Sequence, residues 1–130
     1  MWGAGPRLKS ASMTAPDLAT LRAALWTHGA LRRTKRELAR HGLEGARVSP
    51  PPHLPAHARR GVMAVIRRKP NTCLERALVL QRWHADHGRE RDVVIAVRGP
   101  ARGFAAHAWL DGEPDGELGV YEEVMRVPVR

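Results

Sequence analysis

The chain has 130 residues, enough for one domain with a real core and too few for two. Its single cysteine excludes an internal disulfide framework and suits a reducing cytoplasm. No apolar run approaches the ~20 residues of a membrane span, and no apolar segment follows the basic N-terminus as a signal peptide requires. The net charge of +9 favours an acidic partner, although an Arg- and Ala-rich composition also follows from GC-rich coding.

The charge is uneven. Residues 1–70 hold fourteen Arg or Lys against Asp17, Glu37 and Glu44, whereas the segment from Asp111 onward is acidic. Residues 1–13 read as a loose tail. Thr14-Ala-Pro-Asp17 predicts a helix start, with Thr14 as cap, Pro16 in the first turn and Asp17 completing a capping box. Leu18, Leu21 and Leu25 follow with helical spacing as far as Trp26, and Gly29 is the expected break. A second, basic helix is expected from Ala30 to His41, anchored by Leu31 and Leu38 and stopped by Gly42. The proline run in 43–55 predicts an extended loop. Ala56–Lys69 reads as a third helix, with Ala58, Val62, Val65 and Ile66 on one side.

After Pro70-Asn71, Thr72 and Glu75 form a second capping-box pattern and open a fourth helix that ends at Gly88. Beyond it the period changes to that of strands. Val93–Val97 is one strand and Phe104–Leu110 another, with a turn between them. Asp111-Gly112 and Asp115-Gly116 predict a hairpin turn, a third strand around 117–121 that pairs back, and a fourth over 124–129. Helices followed by antiparallel hairpins make an α+β fold: one domain over 14–130, with a basic helical region (14–57) leading into the core (58–130).

Cys73 would be the first residue of the fourth helix. There, free backbone N–H groups and the positive end of the helix dipole favour a thiolate, and the same groups can receive an oxyanion. The bland reading is a packed, inert thiol. A nucleophile needs a base, usually histidine. Of the seven histidines, His28, His41, His53 and His57 read as surface residues. His84 and His87 could join Cys73 as metal ligands only across about 16 Å of helix axis, so no metal site is expected. His107 stands out inside Phe-Ala-Ala-His-Ala-Trp, a polar side chain among small apolar ones next to Trp109, with room for something to approach.

The block Cys73-Leu74-Glu75-Arg76-Ala77-Leu78-Val79-Leu80, the strand Val93–Val97 and the block Phe104-Ala105-Ala106-His107-Ala108-Trp109 resemble the leader peptidase of lasso-peptide biosynthesis. That family is a bacterial member of the transglutaminase-like, papain-like cysteine protease superfamily, and the resemblance covers about 58–121. It implies that Cys73 attacks the leader–core bond of a precursor peptide and that His107 moves the proton. It implies an acid on a following strand, best matched by Glu117, with Asp115 as the alternative and Asp111 behind it. It also implies two partners, a leader-recognition protein that presents the substrate and an asparagine-synthetase-like macrolactam cyclase. No cofactor is implied. The glutamine that often serves such enzymes as oxyanion donor has no counterpart, since Gln81 lies past the cysteine. Backbone N–H groups at Cys73 and Leu74 are expected in its place, with Asn71 as a side-chain donor or simply a turn residue, and Trp109 beside the substrate. Rival readings are a leader-binding subunit without chemistry, acyl transfer to amines, and a small nucleic-acid-binding protein. The last is disfavoured because no zinc finger, phosphate loop or aromatic-studded basic strand is present.

Overall fold

A computed structural model describes residues 17–99, 103, 105–113 and 121–130. The expected tail, the Thr14 cap and Pro16 lie outside these residues. Helix α1 (Leu18–Gly45) is capped by Asp17, whose carboxylate accepts from the Thr20 N–H at 2.8 Å. It runs unbroken past Gly29, so the two helices expected here are one. The buried side chains Ala23, Trp26, Thr27, Ala30, Leu31 and Thr34 keep helical spacing straight through that glycine. Packing along this face outweighs the roughly 1 kcal/mol that glycine costs in a helix interior. Gly42 is the real interruption, at φ 69°, and one further turn follows it.

The face that α1 buries is also not the one its leucines suggest. Leu18, Leu21 and Leu25 are 72%, 49% and 75% exposed. The partner helix α2 (Arg59–Arg68), entered through a 3-10 turn at Ala56–Ala58, decides the matter. A Cβ on its Gly61 would lie 2.1 Å from the Thr20 carbonyl oxygen. The two backbones approach so closely that only small residues fit between them, and the leucines are turned outward. Ala58, Val62 and Ile66 are buried as their spacing predicts. Between the helices, residues 46–55 form the expected loop, held where the Trp26 indole donates to the Ser49 carbonyl at 3.3 Å.

Helix α3 (Cys73–Asp86) is the middle of the molecule, with α1 on one side and the sheet on the other. Its Ala77, Leu78, Val79, Leu80 and Trp83 are all buried. Strands β1 (Val93–Arg98), β2 (Ala105–Leu110) and β3 (Tyr121–Val127) form an antiparallel sheet in the order β2-β1-β3. β3 takes up most of the fourth strand expected over 124–129 and starts earlier, at Tyr121, whereas the third, expected around 117–121, lies outside the described residues but for Tyr121; β3 pairs with β1. The apolar run Val93-Val94-Ile95-Ala96 explains the preference, because it is the segment able to be covered on both faces and on both edges. Three helices and a small antiparallel sheet give the α+β class that the sequence predicts.

Candidate active site

The start of α3 is built by local chemistry. The Asn71 side-chain amide donates to the carbonyls of Ile66 (2.9 Å) and Lys69 (2.7 Å), folding the turn that leaves α2. Both amide hydrogens are therefore engaged, and these bonds describe a turn residue. Thr72 Oγ1 accepts from the Glu75 N–H, and Glu75 Oε1 accepts from the Thr72 N–H, each at 3.1 Å. This is the capping box read from the sequence, and it makes Cys73 the first helical residue. The cap takes the Glu75 N–H, and the Thr72 carbonyl takes that of Arg76 at 3.0 Å. Among the described residues nothing accepts from the N–H groups of Cys73 and Leu74, which flank a half-buried thiol. Leu74 packs against the core and holds this corner in place.

Cys73, Ala77 and Leu80 lie on one stripe of α3, since residues four and seven apart share a helical face. Arg76, Ala77 and Leu80 border a cavity of about 210 Å³ whose other wall includes His107, Trp109 and Glu113. His107 borders this cavity with Arg76, Ala77 and Leu80, all within about two turns of Cys73, which is not among the lining residues, and Glu113 Oε1 lies 3.8 Å from His84 Nε2.

Ala108 and Leu110 are buried in the core, and alternation puts His107 and Trp109 on the other side of β2, an edge strand of the sheet. There the His107 ring sits 5.6 Å from Trp109 and 5.4 Å from Tyr121, centroid to centroid. Glu117 and Asp115 lie outside the described residues. Asp111 accepts from Arg126 Nη1 at 2.9 Å on the exposed sheet end.

One cluster was not visible in the sequence. Glu113 Oε1 lies 3.7 Å from Arg59 and 3.8 Å from the buried His84. His84 Nε2 has no hydrogen-bond partner among the described residues. Burial, followed by the positive charges of Arg91 and Arg59, holds the His84 imidazole below the usual histidine range. His87, three residues on, faces elsewhere, with ring nitrogens 2.8 Å from the Trp83 carbonyl and 2.9 Å from the Leu54 carbonyl. Among the described residues no group of three His, Cys, Asp or Glu is placed to hold a metal ion.

Together, an α+β core and a thiol at the start of its central helix define the class. The model of the transglutaminase-like superfamily matches residues 17–125, and the chain belongs to that superfamily, which includes cysteine proteases and transglutaminases. No curated protein and no solved structure matches the chain. Among the described residues no helix is long and apolar enough to cross a membrane.

Proposed function

We propose that the protein is a cysteine peptidase that removes the leader from a ribosomally made precursor peptide, as in lasso-peptide maturation. The observation that carries this reading is Cys73 at the first position of a fully capped helix, beside two N–H groups that no described residue uses. Membership of the superfamily supports it. The Cys73 thiolate adds to the carbonyl carbon of the scissile bond, and the oxyanion is received by the Cys73 and Leu74 N–H groups. His107, carrying the thiol proton, delivers it to the leaving amine as the C–N bond breaks. Water then adds to the thioester with His107 as base, and the leader acid departs as the thiol is restored. Glu117, or in its place Asp115, orients the imidazole. A leader-recognition protein presents the substrate in the cytoplasm, and an asparagine-synthetase-like cyclase consumes the free amine of the core.

The test combines the protein, a leader-bearing precursor and its recognition protein, with release of the core followed by mass spectrometry. Cys73→Ala and His107→Ala should each lower release at least about a thousandfold, while Glu117→Gln costs less than either. Iodoacetamide should label Cys73 rapidly near neutral pH without denaturant. Release that survives Cys73→Ala would sink the peptidase reading. Steeply salt-dependent DNA binding without cleavage would favour the nucleic-acid reading.

A further inference from the structure

On the side of α3 away from β2 lies a second cavity, of about 430 Å³, between α1 and the α3 cap. Its lining includes Arg32 and Lys35 from α1, Lys69 from the end of α2, and Asn71, Thr72 and Glu75 from the cap. Arg32 and Lys35 lie three apart on α1, so both project toward one side. Lys69 Nζ is steadied 2.8 Å from His28 Nε2. Glu75, the carboxylate of the lining, is 8% exposed and accepts from the Thr72 N–H, so it is turned into the cap. Three cations therefore border the space, and the positive end of the α3 dipole adds to them. None of the three makes an ion pair with a described carboxylate.

We propose that this cavity is an anion-selecting subsite that takes the carboxylate of an Asp or Glu side chain in the peptide attacked by Cys73. The proposal rests on the peptidase reading for its substrate but not for the site itself. Thr72, in the wall of the cavity, is covalently next to Cys73. An extended peptide advances about 3.3 Å per residue, so the selected acid lies within about three residues of the scissile bond. Two or three cations around one carboxylate attract it more strongly than the single cation of a surface pair does.

The experiment reads the site in two ways. Cys73 is alkylated with iodoacetate and with iodoacetamide, which differ chiefly in the negative charge of the former. The ratio of the two rates in the native protein is compared with that in Arg32→Glu/Lys35→Glu, both exposed positions, with folding checked by circular dichroism. The ratio should fall about tenfold in the double variant, and in the native protein it should also fall as salt is raised from about 20 to about 500 mM. In parallel, precursor peptides differing only by Asp→Asn within three residues of the cleavage site are compared. The Asp peptide should show the lower KM with kcat little changed, and the double variant should erase the difference. An unchanged alkylation ratio overturns the proposal whatever the peptides do. A ratio that falls as expected while no peptide is cleaved upholds the anion site and counts against the peptidase reading alone.

Discussion

His84 lies about three turns beyond Cys73 on the same helix and is buried. The His84 imidazole is 7% exposed, lies near Arg59 and Arg91, and is held below the ordinary histidine range. In the fold it takes up a proton only at lower pH than an unfolded histidine, whose ordinary value is near 6.5. The unfolded chain thus binds more protons there, and stability falls as pH drops through about 6.5, softened by Glu113. Denaturant unfolding at about pH 7.5 and pH 5.5 should show a larger loss for the native protein than for His84→Leu, and equal losses would refute this account. His87 plays a mechanical part. Its ring nitrogens lie 2.8 Å from the Trp83 carbonyl and 2.9 Å from the Leu54 carbonyl, so the ring ties the proline loop at Leu54 to α3. Replacement by alanine should cost about 1–3 kcal/mol in urea unfolding. Neither role could be read from residue type and spacing, because the deciding atoms, the Glu113 carboxylate and the Leu54 carbonyl, arrive from distant segments.

At the level of elements, local patterns were read well where the stabilising bonds are local. The capping box at Thr72 closes within three residues, so Thr72 and Glu75 suffice to locate Cys73 at a helix start. The orientation of α1 was misread because the leucine spacing describes an apolar stripe but not what lies opposite. Gly61 lets the Thr20 and Ala24 backbone approach so closely that small residues take the interface. Gly61→Ala should therefore destabilise the protein by about 1–3 kcal/mol, since the helices must separate. Leu25→Ala, at an exposed site, should stay within about 0.5 kcal/mol. Urea unfolding of the two variants decides between the faces, and a larger loss at Leu25 would restore the leucine face.

Across the whole molecule, α3 is fastened to the sheet by one side chain. Gln81 Nε2 donates to the Arg91 and Val127 carbonyls, each at 2.8 Å, the second from 46 residues away. These bonds bring the end of β3 beside β1 and help to set the order β2-β1-β3. Gln81→Leu would leave two carbonyls without a donor, and about 1–3 kcal/mol should be lost in thermal or urea unfolding. The charge asymmetry belongs to the same scale. Two cations of α1, Arg32 and Lys35, which the sequence shows only as part of a basic region, meet Lys69 of the α2 end in one cavity against the α3 cap.

By itself, the sequence determined the α+β class, the helix that begins at Cys73, the two strands of the central hairpin and the blocks that resemble a peptidase. All of these rest on interactions between residues a few positions apart, whose energies follow from spacing and residue type. Only the tertiary structure decided the buried face of α1, the seat of β3 on β1, the cavity that His107 borders and the meeting of Glu113 with His84. Each of these depends on which backbone can approach which, and that is settled by packing across the whole chain.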